Sequence, residues 1–123
     1  MARIMIAEDS AATRLMLRDS LEMAHHEIVA EAIDGIETIE KFIATNPDIL
    51  LLDVGMPKKD GISALREIMS SKPDAKIIMI TADENLSTIT QSSEAGVQAY
   101  LVKPFSSEQV LTAITMALDQ ITN

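Results

Sequence analysis

The sequence predicts an α/β fold, a doubly wound sheet of five parallel strands with helices on both faces. Two observations carry this. Short apolar runs alternate five times with longer stretches whose apolar residues fall at helical spacing. The central run, Ile49 to Leu52, shows no polar alternation, as expected of a strand covered on both faces. Alternating strand–helix units imply right-handed crossovers and a parallel sheet, which gathers the carboxyl ends of its strands along one edge.

The elements follow in order. Residues 3–7 read as a buried strand that stops at Glu8-Asp9. Ser10 is the expected N-cap of a first helix reaching about Ala24, with Leu15, Leu17, Leu21 and Met23 as its apolar pattern. Ile28 to Ala32 form a second strand, and Asp34-Gly35 a turn. Ile36, Ile39, Phe42 and Ile43 define a second helix that Asn46-Pro47 closes. The third strand, Ile49 to Leu52, lies between Pro47 and Gly55 and ends on Asp53. After the polar loop Met56 to Gly61, a third helix carries Ile62, Leu65, Ile68 and Met69 inward as far as about Ser71, and Pro73 ends it.

Lys76 to Ile80 read as the fourth strand, which ends on Thr81-Ala82. The helix expected over Asp83 to Ala95 is weak, because Ser and Thr compete for backbone bonds and its apolar stripe is mainly Leu86 and Ile89. It reads either as an accident of composition or as the low-stability element that a two-state switch needs, the second being the preferred reading. Gly96 is its expected stop. Ala99 to Val102 form a short edge strand before Lys103-Pro104. Ser106 or Ser107 then caps a last helix with Val110, Ala113, Ile114, Ala117 and Ile121 inward.

Composition narrows the function. The 123 residues, 47% apolar, suit one domain with a real core, read as a single unit over 1–123 with no effector domain. There is no cysteine, so disulfides and thiolate metal sites are excluded. No apolar run approaches the ~18 residues of a membrane span, and a cytoplasmic location without membrane insertion is expected. Ten basic against nineteen acidic residues give a net charge of −9, which opposes direct nucleic-acid binding. The methionines inside apolar runs, such as Met5 and Met79, read as core filler. His25-His26 and Lys58-Lys59 read as solvated loops.

At the strand ends the fold would collect Glu8, Asp9, Asp53, Thr81 and Lys103. Ligands of open parallel sheets bind at that edge. Three converging carboxylates repel one another, and a divalent cation with oxygen preference relieves the repulsion. Mg²⁺ fits, since it takes one or two carboxylates and shares phosphate oxygens with a substrate. One carboxylate can then act as a nucleophile on phosphorus, while Mg²⁺, Lys103 and Thr81 neutralise the equatorial oxygens. The set is complete for phosphoryl transfer to Asp53.

Over essentially its whole length the chain resembles the response-regulator receiver domains, especially the single-domain CheY-like members. The resemblance rests on Glu8-Asp9, Asp53 followed by Met56-Pro57, Asp60-Gly61, Thr81-Ala82 and Lys103-Pro104-Phe105, in that order. It implies a flavodoxin-like (βα)5 fold with sheet order 2-1-3-4-5. It also implies that Asp53 accepts a phosphoryl group from a histidine kinase or phosphotransfer domain. Asp9, Asp53 and the carbonyl of Gly55 would hold Mg²⁺, with Glu8 acting through water. Lys103 would pair with the phosphate, Thr81 would swing to bond it, and Tyr100 would follow Thr81 inward. The Lys103-Pro104 bond is expected to be cis.

The resemblance further implies docking of the phosphodonor at Ala11 to Leu17. A target protein would bind the fourth helix, fifth strand and fifth helix, from about Glu84 to Ile121. Gln98-Ala99 and the absence of Lys or Arg from Ser106 to Asn123 depart from receivers that dimerise to control transcription. The expectation is therefore a monomer that binds a partner, in chemotaxis or motility. Gly55 departs from the side chain usual beside the phosphate, which opens a path for water, while Asp83 could repel or orient that water. No glycine precedes the second strand, which reads as a surface change.

Three rival functions are weaker. A phosphoaspartate hydrolase needs a second acid where Gly55 stands. A flavin or dinucleotide carrier needs a phosphate-cradling loop that glycines 35, 55, 61 and 96 do not make. A non-switching docking domain would have no use for the full acid, Lys and Thr set.

Overall fold

In the computed structural model each apolar run becomes a strand. The structure describes residues 1–82 and 86–119, with the side chains of 86–88 outside the description. The order is β1 (Arg3–Ala7), α1 (Ala11–Met23), β2 (Glu27–Ala32), α2 (Gly35–Thr45), β3 (Ile49–Asp53), α3 (Gly61–Ser71), β4 (Ile77–Thr81), α4 (Leu86–Ala95), β5 (Ala99–Val102) and α5 (Ser107–Asp119). All neighbouring strands pair in parallel, in the sheet order β2-β1-β3-β4-β5. The expectations for Asp83, Glu84 and Ile121, and for the Leu86 side chain, lie outside the described residues.

The two-residue period of the strands divides the core into two layers. Ile4, Ile6, Leu51, Ile78 and Ile80 meet Leu17 and Leu21 of α1 and Val110 and Ile114 of α5 on one face. Met5, Leu50, Leu52, Ile77 and Met79 meet Phe42 of α2 and Leu65 and Ile68 of α3 on the other. Residues 49–53 of β3 are all buried, so the central strand is walled on both sides. Met5 and Met79 are fully buried, as a core-filling role requires.

Helix starts follow local chemistry. Ser10 accepts from the Thr13 amide at 3.3 Å, and Asp60 from the Ser63 amide at 2.8 Å. Asp34 accepts from the Glu37 amide at 2.8 Å, so Asp34-Gly35 is a helix cap as well as a turn. Gly35 is obligatory for packing, because a Cβ there would lie 2.0 Å from the Lys59 carbonyl oxygen. Ser106 and Gln109 cap α5 reciprocally: Ser106 Oγ accepts from the Gln109 amide at 3.1 Å and Gln109 Oε1 from the Ser106 amide at 2.8 Å.

Several side chains depart from expectation. Leu15 is 56% and Met23 82% exposed, and the inward stripe of α1 is Leu17, Ser20 and Leu21. The hydroxyl of Ser20 meets that of Ser107 at 2.6 Å, so polar atoms join α1 to the start of α5. In α2, Ile36 and Ile43 face outward while Thr38 and Phe42 are buried. Strand β4 extends through Thr81, one residue beyond the apolar run. Both loop lysines have partners: Lys58 Nζ lies 3.5 Å from Asp34 Oδ2 and Lys59 Nζ 2.5 Å from Glu67 Oε1.

The histidine pair is also more than a solvated loop. His25 takes a positive φ of 67°, the conformation for which a glycine is the usual choice. His26 Nδ1 accepts from the Ala2 amide at 3.0 Å and ties the chain start to the approach of β2. That bond requires a neutral ring nitrogen. Burial first, then the α-amino group and His25, hold the His26 pKa below its ordinary 6.5. A lowered folded-state value means that its stability contribution is present above pH 6.5 and is lost as pH falls through the folded value. Urea titrations at pH 7.5 and 5.0 should therefore show a larger acid loss of stability in wild type than in His26→Gln, and equal losses would remove the linkage.

Candidate functional site

The strands deliver their last residues to one edge. Hydrogen bonds continue past the strand ends, from Glu8 N to Ala32 O, from Val54 N to Ile80 O and from Lys103 N to Thr81 O, at 2.8 to 3.0 Å. The residues after β1, β3 and β5 are thus held by the same ladder that builds the sheet. The turn after Asp53 is closed by Gly61, whose amide donates to Val54 O at 2.9 Å. A Cβ at Gly61 would stand 2.2 Å from the Asp53 carbonyl oxygen, so that position tolerates no side chain.

Within this frame Glu8, Asp9 and Asp53 bring carboxylate oxygens within 4.8 Å of one another. Glu8 and Asp53 are buried and Asp9 is exposed. Lys103 Nζ sits 2.8 Å from Glu8 Oε1 and 3.6 Å from Asp53 Oδ2, bridging two acids. Glu8 Oε2 accepts from the Ser10 amide at 3.0 Å, and Asp53 Oδ1 from the Gly55 amide at 3.2 Å. The Lys103-Pro104 peptide is cis.

Electrostatics follow from this crowding. Burial lifts the Glu8 carboxyl to about 7; Lys103 and the Ser10 amide oppose that rise and Asp53 adds to it. Burial alone would lower the Lys103 ammonium, but its hydrogen bond to Glu8 and the charges of Asp53, Glu8 and Asp9 outweigh burial and raise it. The donor set fits a hard divalent cation: the cluster is carboxylate only, without histidine or thiolate. Glu8, Asp9 and Asp53 are the residues that could hold Mg²⁺.

The other expected site residues take distinct places. Thr81 is buried at the end of β4, in register with Val102. Tyr100 lies outside the acid cluster. It packs half-buried against the second core layer, and its hydroxyl donates to the Ile89 carbonyl of α4 at 2.8 Å. A Cβ at Gly55 would meet nothing within 4 Å, so a side chain there would enter open space. Arg14 was not anticipated. Its Nη1 donates to the Glu8 carbonyl at 2.8 Å and its Nε lies 3.6 Å from Glu31 Oε1. No local motif announces Arg14, because the contact needs α1 folded back over the end of β1.

The fold and site together describe a small doubly wound protein with an acidic, lysine-bearing pocket at its sheet edge. A family model, the response regulator receiver domain, matches residues 4–115, and the chain belongs to that family of two-component signalling proteins. The chain is 39% identical over 117 residues to the chemotaxis protein CheY of Bacillus subtilis strain 168, covering 95% of this chain and 98% of that one. It is 38% identical to the Thermotoga maritima CheY, covering 91% of this chain and 93% of that one. Among solved structures, the CheX-CheY-BeF3-Mg+2 complex from Borrelia burgdorferi contains a chain similar at 30% identity and a TM-score of 0.90. That alignment covers 94% of this chain and 88% of the other. The flavodoxin-like topology expected from the resemblance is the one observed.

Mg²⁺ and the removal of one acid should act in opposite directions with and without the ion. Without Mg²⁺, Asp9→Asn relieves repulsion and should raise the urea midpoint. With Mg²⁺ at 100 times its Kd, wild type should gain about 2.7 kcal/mol, and Asp9→Asn should lose most of that gain. A wild-type midpoint indifferent to Mg²⁺ would sink the metal assignment.

Proposed function

We propose that residues 1–123 act as one phosphoacceptor switch, with Asp53 the acceptor. The observation that carries this reading is the bridging of Glu8 and Asp53 by the Lys103 ammonium, beside Asp9. A histidine kinase or phosphotransfer domain would present phosphohistidine, docking at Ala11 to Leu17 on α1. An Asp53 carboxylate oxygen attacks phosphorus, the O–P bond forms as the P–N bond breaks, and the imidazole leaves with the electron pair. Asp9, Asp53 and the Gly55 carbonyl would hold Mg²⁺, with Glu8 acting through water, and the ion would supply charge neutralisation to the crowded oxygens.

Lys103 exchanges its contact with Asp53 for a phosphoryl oxygen, and Thr81 donates its hydroxyl to another. The modification adds roughly −1.5 to −2 charges and shifts an equilibrium only through contacts better made in one state. Tyr100 would carry that shift outward through α4, whose Ile89 carbonyl it already contacts. The output surface is then α4, β5 and α5, where a target protein binds.

The chain works on no external substrate in this reading. It catalyses its own phosphotransfer and, with time, its own dephosphorylation. The identity to CheY of two bacteria supports chemotaxis or motility as the pathway. A cytoplasmic monomer that contacts no nucleic acid completes the proposal, and the net charge of −9 supports its last clause.

Incubation with acetyl phosphate and Mg²⁺ should add about 80 Da, one phosphoryl group, to wild type and nothing to Asp53→Asn. Equal labelling of the two proteins would move the acceptor elsewhere. The open space at Gly55 further predicts that Gly55→Met lengthens the phosphate lifetime severalfold by covering the approach of water. An unchanged decay rate would rule that route out.

A further inference from the structure

We propose that Arg14 is a positioning residue for Asp9, acting through the backbone of Glu8. The inference rests on the phosphoacceptor reading, in which Asp9 is a direct ligand of Mg²⁺. Asp9 is exposed, so side-chain packing does not hold its carboxylate over the pocket. Its backbone has to do so, and both peptide planes that flank it are fixed. The Glu8–Asp9 peptide is held by Arg14 Nη1, which donates to the Glu8 carbonyl at 2.8 Å. The Asp9–Ser10 peptide is held by the Ser10 amide, which donates to Glu8 Oε2 at 3.0 Å. The Glu8 amide in turn donates to Ala32 O at 3.0 Å, so this turn has a fixed start.

Arg14 is itself anchored. Its Nε lies 3.6 Å from Glu31 Oε1, and Arg18 Nη2 is paired with the other carboxylate oxygen of Glu31. Glu31 stands in β2 in register with Ile6 of β1, one strand away from the site. The guanidinium thus spans from the second strand to the loop that carries Glu8 and Asp9. Its donors diverge from one rigid plane, which a single ammonium cannot reproduce. Residues that orient ligands of a metal site influence affinity without touching the ion. A positive charge near three acids would also act through its field, so position and field must be separated experimentally.

Calorimetric titration of the full chain with MgCl2, paired with acetyl phosphate labelling followed by mass, separates them. Arg14→Ala should raise the Mg²⁺ Kd about tenfold and slow labelling in proportion at limiting Mg²⁺. At saturating Mg²⁺ its labelling rate should return to near that of wild type. Arg14→Lys keeps the charge but not the fork, and its Kd should stay severalfold high. Arg18→Ala, which leaves the Glu8 carbonyl bond in place, should bind Mg²⁺ as wild type does. A wild-type Kd in Arg14→Ala would overturn the inference, as would full rescue by lysine or a labelling defect that persists at saturating Mg²⁺. Wild type that neither binds Mg²⁺ nor gains mass at Asp53 would instead defeat the phosphoacceptor reading, and this inference with it.

Discussion

Three carboxylates share one corner of the sheet, and a lysine ammonium lies against two of them. Lys103 touches Glu8 at 2.8 Å and Asp53 at 3.6 Å, while Asp9 stands within reach of both acids. Like charges this close are unfavourable without a cation, and Asp53 adds to the rise that burial gives the Glu8 carboxyl. The rest of the molecule is arranged to keep these groups together. Glu8 is fully buried, Asp53 ends a strand buried on both faces, and Lys103 is tied through its amide to Thr81. A rigid sheet edge presents charges that loops alone would let drift apart.

Rigidity at the pocket contrasts with the way the far side is assembled. The layers around β1 and β3 are packed with fully buried Ile, Leu and Met, which admit little movement. Strand β5 is an edge, and three of its four residues are partly exposed. Tyr100 reaches from that edge to a main-chain carbonyl of α4. In the proposed function, a change at Asp53 or Thr81 would be felt at this surface, which the core does not lock. A division between a fixed chemical centre and a more lightly held face suits the two-state switch proposed above. Arg14, Lys58 and Asp34 extend the fixed part, pinning the loops after β1 and β3 to neighbouring elements.

Much of this was legible in the linear order of residues. The strands announced themselves as apolar runs, and Ser10 and Asp34-Gly35 marked a cap and a turn through local chemistry that needs no distant partner. Glu8, Asp9, Asp53, Thr81 and Lys103 could be grouped because a parallel sheet sends all strand ends to one edge. Helix faces were harder. Leu15 and Ile43 were expected inside and lie outside, because several apolar positions compete for a stripe whose angle the neighbouring sheet decides. The loop residues were harder still. His26 and Lys59 looked solvated, yet each bonds a group distant in the chain or on the next helix.

By itself the sequence determined the fold class, the Ser10 cap and the chemical inventory of the pocket, since these depend on short-range periodicity and side-chain type. Tertiary structure alone decided that Lys103 bridges Glu8 and Asp53, that Gly35 and Gly61 sit where no Cβ fits, and that Arg14 grips the Glu8 carbonyl. Those facts arise from distances between segments remote in the chain. Such distances are fixed only when the two core layers close on the sheet.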